Sequence, residues 1–290
     1  MKISKVAIFC KKSAYQFYFL EHRGALLKKE GIHFSQSMRT EFKRAHGEHY
    51  RTIAFIENAL RERKIKFVRY YRGQRVDFKP FGLVIAIGGD GTFLEAARHV
   101  KEQIILGVNS DPKRSIGRLC ASNRGDFKNI FEKLIRGKCK VRILNRIKLR
   151  LRNDLKGIDV LNDILICHQN PASMSRYRLS INGLKEEQRS SGVWISTPVG
   201  SSGAIRAAGG RLMPKESSKI QYKPRELFEW HNTKYRLRGG IVALRRPMLI
   251  SSLMRNGMIY VDGSHLKIPF NFGNQAYLSL SEKSLKVVGS

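Results

Sequence analysis

Apolar positions fall in short runs whose spacing changes halfway along the chain. Lys5 to Phe9 is a run of strand type, and Phe81 to Ile87 reads as a strand buried on both faces. Ile65 to Tyr71 and Ile104 to Val108 are further strand candidates. Phe17 to Lys29 and Tyr50 to Arg63 set apolar groups at helical spacing, with Ile53, Ile56 and Leu60 against Arg51, Glu57 and Arg61. Thr92 to Val100 also predicts a helix, and residues 31–49 are polar. Strands alternating with helices in this way predict a parallel sheet wrapped by helices.

After Lys138 the period shortens to two. Val141 to Leu151 (VRILNRIKLRL) alternates apolar and basic residues and predicts one half-buried strand. Strand-like runs follow at Ile158 to Cys167, Tyr177 to Asn182, Val193 to Thr197, Gly240 to Leu244, Met258 to Val261 and Tyr277 to Leu280. Among them only Ser202 to Gly210 has a helical pattern, stopped by Gly-Gly. The expected fold class is therefore α/β plus β. A doubly wound α/β domain spans 1–139 and a β-rich domain spans 140–270.

Composition narrows the class. The 290 residues include 42% hydrophobic and 9% aromatic ones, enough for a real core, which excludes a disordered basic tail protein. The longest clean apolar stretch, Phe81 to Ile87, is far below the ~20 residues of a membrane span. The opening MKISKVAIFC runs straight into strand and shows no leader pattern. Cys10, Cys120, Cys139 and Cys167 form no CxxC pair, so a reducing compartment is expected. The net charge of +32 invites a nucleic-acid reading. Its distribution answers against that: +12, +5, +5 and +10 over 1–80, 81–140, 141–200 and 201–290, with no block and no interleaved aromatics. His46 and His49, three apart in AHGEH, lack a third ligand nearby and are expected to be solvated.

Three segments carry chemistry. In LVIAIGGDGTFLEAARHV a buried strand ends at Gly88, Gly89, Asp90 and Gly91, and a helix begins near Thr92. Glycines there admit a ligand to the backbone, and helix-start N–H groups attract phosphate. A carboxylate in such a place repels phosphate unless it holds a metal or takes a proton, so Asp90 has a catalytic or metal role unless it merely caps the helix. Neither GxGxxG, which would need Gly at Leu94, nor GxxxxGK[ST] is present. In VLNDILICHQN, Asn162 and Asp163 can grip vicinal hydroxyls, or mark a polar strand start. In SSGVWISTPVGSSGAIRAAGG a strand runs into Thr197-Pro198 and then Gly200, Ser201, Ser202 and Gly203, a small-residue helix start suited to a flat or phosphorylated ligand.

Together, in this order, the three segments resemble the NAD kinase family, whose signature is GGDG, an Asn-Asp or Asn-Glu pair, and a stretch of the type TPTGSTAYSLSAGG. GGDG alone is shared with diacylglycerol, sphingosine and phosphofructo-kinases. NPASMSRYRLSI, QRSSGVWISTPVGSSGAIRAAGG and YVDGSH look most like the branch with the plant NADH-preferring kinases. The resemblance implies phosphoryl transfer from ATP (polyphosphate in some members) to the 2′-hydroxyl of the adenosine ribose of NAD(H), with Mg2+ or another divalent cation. It implies that Asp90 accepts the hydroxyl proton and that Gly88, Gly89, Gly91 and Thr92 line the phosphates. Asn162 and Asp163 would hold a ribose; Thr197 and Gly200, Ser201, Ser202, Gly203 and Ala204 would border the dinucleotide. Arg189, Ser191 and Asp262 join that binding set, and no metal ligand is assigned. The resemblance further implies a homo-oligomer and a tail of about 271–290 packed back on the first domain. A cytoplasmic protein is expected, with no membrane partner from the short apolar runs and no nucleic-acid partner favoured by the even charge.

Three departures from the family pattern stand out. Ser190-Ser191-Gly192 replaces a Gly-Asp-Gly, removing a carboxylate near the nicotinamide and favouring relative use of NADH. Ala204 stands where many members have Tyr, and the loop after Asn109 adds Lys113, Arg114 and Arg118. A lipid kinase sharing GGDGT and a basic nucleic-acid-binding protein remain the alternatives. The Asn162-Asp163 pair and segment 197–210 speak against the first.

Overall fold

The computed structural model describes residues 3–289 except 23–24, 26–28, 30, 32, 153, 155, 230–233 and 264–265. Residues Met1–Arg142 with Lys286–Ser290 form one compact unit, and Ile143–Leu285 form a second.

In the first unit, the strands run in the order Lys66–Tyr71, Lys5–Cys10, Leu83–Gly88, Ile104–Asn109, Leu285–Val288 and Val141–Leu144, with Ser122–Asn123 beside Ile104–Asn109. The pairs among the first four strands are parallel. Parallel strands buried on both faces read as continuous apolar runs, and Leu83–Gly88 is buried at every residue. One face packs Val6, Ile8, Ile85 and Leu106 against Ile53, Ile56 and Leu60 of helix Gln36–Glu62 and Phe127 and Phe131 of helix Phe127–Ile135. Gly107 points the other way, where a Cβ would lie 2.9 Å from the Phe93 ring of helix Asp90–His99. Helices thus cover both faces, giving a doubly wound sheet.

The helix Gln36–Glu62 is far longer than its apolar spacing predicts. Ser35 caps it by accepting the Met38 N–H at 3.2 Å, and its first half is mostly exposed, so no apolar stripe announces it. The helix expected over Phe17 to Lys29 falls partly outside the described residues; Gln16–Glu21 is a π-helical turn. Ser264 and His265 of YVDGSH are also outside them.

The second unit stacks two six-stranded sheets around one core. One takes strands Leu184–Ser190, Ser175–Ile181, Met248–Ser252, Gln275–Leu280, Ile147–Leu151 and Ile158–Val160; the other takes Gly240–Val242, Ile220–Pro224, Val193–Ser196, Asp163–His168, Gly257–Val261 and Leu266–Pro269. Inward residues of both, such as Leu149, Leu179 and Ile250 against Ile164, Ile195 and Ile259, form a single cluster.

Several expectations are corrected. Val141 to Leu151 is two strands, broken at Asn145-Arg146, where the guanidinium of buried Arg146 donates to the carbonyls of Lys283 and Ser284. Ile158 to Cys167 breaks at Leu161-Asn162. The helix expected over Ser202 to Gly210 is only a 3-10 turn, Gly200–Ser202, and four residues, Ala204–Ala207. Only residues 286–290 rejoin the first unit, because Gln275–Leu280 is an inner strand of the second.

Candidate functional site

The first-unit constellation sits at the carboxyl end of Leu83–Gly88, next to the point where strand order reverses around Lys5–Cys10. Open parallel sheets bind ligands at such a place. Helix Asp90–His99 starts here with Gly89 at its N-cap and no side chain capping its first turn. The Thr92 N–H turns back onto the Gly89 carbonyl at 3.0 Å, which leaves the N–H groups of Asp90 and Gly91 for a ligand or water. Gly88 and Gly89 are demanded by contact: a Cβ would stand 2.3 Å from Thr92 Oγ1 at the first and 2.4 Å from Ser115 Oγ at the second. Gly91 is open, with the Arg72 guanidinium 3.7 Å from where its Cβ would be.

Asp90 does not cap its own helix. Its two carboxylate oxygens accept the backbone N–H groups of Arg118 (3.2 Å) and Leu119 (2.8 Å), which fastens the loop after Ile104–Asn109 over the glycines. A carboxylate has about four acceptor positions, so two are left for a substrate hydroxyl or a cation. Within that loop Arg114 is held by Asp111 at 2.9 Å.

Residues that sequence reading passed over complete this edge. Arg72 donates to Glu95 at 2.6 Å. Burial, reinforced by the charge of Arg72, holds the Lys11 amine below its ordinary range. His49 is the clearest correction: it is buried, not solvated. Its Nε2–H donates to the Lys11 carbonyl at 2.8 Å, so Nδ1 accepts the Ser110 hydroxyl at 2.8 Å. Burial lowers it to about 4 and keeps it neutral. His46 is likewise engaged, Nδ1 lying 2.7 Å from Ser13 Oγ. Only its place on the helix face beside the sheet, invisible without the helix, could have signalled this.

The second-unit constellation forms where Leu161-Asn162 meets Thr197 to Gly203. Buried Asp262 accepts the N–H of Asn162 at 2.6 Å and of Leu161 at 3.3 Å, and its own N–H donates to the Asp163 carbonyl at 2.9 Å. It does so in the left-handed region (φ 48°), which Asp tolerates better than most residues. Asn162 Nδ2 donates to Asp163 Oδ2 at 3.2 Å, and the Cβ position of Gly203 lies 3.5 and 3.6 Å from those two atoms. Gly200 backs directly onto the Asn162 carbonyl, 2.1 Å from where a Cβ would sit. Burial, and then the charge of Asp262, push the Asp163 carboxyl up to about 7. Near neutrality it can therefore both donate and accept, which suits a pair of hydroxyls.

Not every expected residue faces outward. Thr197 donates its hydroxyl to the Leu161 carbonyl at 2.6 Å, while Ser201 donates to Pro198 O at 2.6 Å and accepts the Met213 N–H at 3.0 Å; both are buried. They hold the segment in shape and have no hydroxyl proton left for a ligand. Ser202 is partly exposed, and Gly203 and Ala204 are exposed. Arg189 and Ser191 are not brought to this cluster. They precede Val193–Ser196, whose far end pairs with Asp163 (Ser196↔Asp163), so the strand separates them from it by roughly 15–20 Å. There Ser191 donates its N–H to the Arg225 carbonyl at 3.0 Å, and Arg189 pairs in register with Arg176.

Among the described residues, no three His, Cys, Asp or Glu side chains converge as a metal cage. No described helix is long and apolar enough to cross a membrane.

Comparison with known proteins adds an independent line. A family model described as the ATP-NAD kinase N-terminal domain matches residues 6–137. A probable NADH kinase of Oryza sativa subsp. japonica is 32% identical over 263 residues, which is 83% of this chain and 81% of that protein. The NADH kinase of Arabidopsis thaliana is 28% identical over 263 residues, 82% and 83% of the two. Among solved structures, an NAD kinase from Archaeoglobus fulgidus, in complex with ATP, matches with a TM-score of 0.70 at 17% identity, covering 98% of this chain and 93% of that one. A yeast NADH kinase complexed with NADH matches at 0.65 and 17%, covering 100% and 84%. At that identity the structures speak for the fold.

Proposed function

Because the chain belongs to the NAD kinase family, we propose that it transfers the γ-phosphoryl group of ATP to the 2′-hydroxyl of the adenosine ribose of NAD(H). The observation that carries the reading is Asp90: a carboxylate held by two backbone amides at an uncapped helix start, on the carboxyl edge of a doubly wound sheet. Phosphoryl transfer asks mainly for positioning and charge neutralisation. The N–H groups of Asp90 and Gly91, with Arg72 beside Gly91, supply positive potential for phosphates. Asp90 takes the proton from the attacking hydroxyl through an acceptor position that the loop amides do not use. Asn162 and Asp163, fixed by Asp262, hold ribose hydroxyls.

A divalent cation fits this donor set as one that arrives with the triphosphate. Mg2+ is commonly held by one or two carboxylates plus substrate phosphates and water, and Asp90 offers one carboxylate. When bound it neutralises charge on the phosphoryl oxygens.

Ser191 supports preferential use of the reduced dinucleotide. The cationic nicotinamide of NAD+ finds no carboxylate at that position, and the strand beside it presents Arg189 against Arg176. The test of the whole reading is incubation with ATP, Mg2+ and either NADH or NAD+, scoring the 2′-phosphorylated product. Turnover with NADH at least matching that with NAD+ is expected; absence of product with both overturns the reading.

A further inference from the structure

We propose that the second unit carries a docking face for single-stranded nucleic acid, on the solvent side of the sheet that contains Ile147–Leu151 and Ser175–Ile181. Cations spread evenly along the sequence are gathered here by the pleat, because alternate residues of a strand point to opposite faces. In Ser175–Ile181, Tyr177 and Leu179 are buried while Arg176 and Arg178 are exposed. The same alternation turns Lys148 and Arg150 away from the core side of Ile147 and Leu149. It also turns Lys185 and Arg189 outward in Leu184–Ser190, where Gln188 and Ser190 are buried.

These cations share the face with two carboxylates. Asp159 takes Lys148 at 3.0 Å, and Glu187 takes Arg178 at 3.7 Å. Arg150, Arg176, Lys185 and Arg189 have no carboxylate within ion-pair distance among the described residues. The opposite sheet differs: its outward positions include Leu165, paired with Trp194 and Tyr260. The charge of this unit is therefore sorted to one face. A concentration of one sign draws a partner of the other.

The arrangement says which polyanion fits. Arg176, Arg178, Lys185 and Arg189 form one bank on neighbouring strands. Lys148 and Arg150 form another, three strands across and roughly 14–15 Å away. The second bank deepens into a cleft of ≈ 250 Å³, where Lys156 and Lys283 join it against one carboxylate, Glu282. Between the banks lies an uncharged strip with Ser251, Gln275 and Tyr277. Tyr277 stands in register with Arg150 and Leu249, and its hydroxyl donates to Gln275 Oε1 at 2.8 Å, which inclines the ring along the strand.

Two cationic banks beside a flat ring match a chain that alternates phosphates with flat uncharged groups. Sheet surfaces take single strands in this way, with bases stacked on aromatic side chains. A duplex keeps its bases paired and has no use for Tyr277. A second copy of this chain would bring the same cations and be repelled. A membrane surface calls for apolar side chains to insert, and on these strands half-buried Leu249 is the one large aliphatic residue turned outward. The face is separate from the dinucleotide cluster: Asp163 lies on the other sheet, and Thr197 to Gly203 follow one of its strands.

The test is fluorescence anisotropy of a short labelled single-stranded oligonucleotide of mixed sequence, titrated with the full chain at near-physiological salt. Arg150→Gln with Lys185→Gln takes one unpaired cation from each bank. Lys133→Gln with Lys138→Gln removes the same charge from the first unit. All four side chains are exposed, so both double variants should keep the wild-type unfolding temperature. Saturable binding by the wild type is expected, weakened about tenfold or more by the first pair and within about twofold by the second. The salt slope should become shallower by about 1.4 in the first pair alone, about 0.7 for each lost contact. Tyr277→Leu leaves the charge intact and should weaken binding about fivefold or more at an unchanged salt slope. The proposal is overturned by no saturable binding, by equal weakening in the two pairs, or by displacement of the oligonucleotide with saturating ATP and NADH. Tighter binding to phosphatidylserine–phosphatidylcholine vesicles, lost in the first pair, would overturn it as well.

Discussion

The backbone N–H of Asn162 donates to Oδ1 of Asp262 at 2.6 Å, a bond that reaches across 100 positions of sequence. It fixes the turn from which Asn162 and Asp163 project. Asp262 is thus a positioning residue. Replacing Asp262 with Ala strands two N–H groups in a buried turn and puts Ala in the left-handed region, a loss of about 2–4 kcal/mol. Denaturant unfolding should register that loss, and KM for NADH should rise more than kcat falls. A kcat loss with KM unchanged would place Asp262 in the chemical step instead.

Asp163 gives a pH signature. Its folded value, about 7, lies above the ordinary carboxyl value of 3.8, so the folded state holds a proton that the unfolded state has released between those two values. The associated stability is complete below pH 4 and is lost as pH rises towards 7. Asp163→Asn removes the burden of a buried charge. The variant should be more stable than the wild type to denaturant at pH 8, by roughly 2–4 kcal/mol, with the difference closing near pH 4. Its affinity for the dinucleotide should fall.

His49 has the opposite sign. Its folded value of about 4 lies below the ordinary 6.5, so the unfolded state takes up the proton first on acidification. Stability contributed by the neutral ring is present above pH 6.5 and is lost as pH falls towards 4, by up to roughly 3 kcal/mol. A His49→Leu variant should be less stable at pH 7.5 and show a flatter stability profile between pH 6.5 and 4 than the wild type.

Gly88→Ala tests the tight turn before Asp90. Its methyl would press on Thr92 Oγ1 of a buried residue. A loss of about 1–3 kcal/mol is expected in thermal unfolding, together with weakened ATP binding. Gly91→Ala, whose methyl meets nothing nearer than the Arg72 guanidinium at 3.7 Å, should be milder on stability.

How much of this was legible in the sequence depends on whether local pattern or distant contact sets each feature. Three parallel strands, Lys5–Cys10, Leu83–Gly88 and Ile104–Asn109, were, because burial on both faces writes them as apolar runs. Leu184–Ser190 and Ile220–Pro224 escaped, since LKEEQRS and IQYKP carry charges and a proline that mask a strand pattern. The first half of Gln36–Glu62 escaped because it is capped and exposed instead of packed. GGDG, Asn162-Asp163 and Thr197–Gly203 were legible as motifs, but the division of labour within them was not. That Thr197 and Ser201 turn inward, that Asp90 ties down a loop, and that His49 links Lys11 to Ser110 depend on contacts between distant residues.

The central claim is that Asp90 takes the proton of the 2′-hydroxyl. Asn at this position keeps an acceptor for one loop amide but is no base. The measurement is the rate of NADPH formation from NADH, ATP and Mg2+ by wild type and Asp90→Asn, with ATP binding measured in parallel. Turnover should fall roughly 10²–10⁴-fold while ATP binding stays within a few-fold. Near-normal turnover in the Asp90→Asn protein would contradict it.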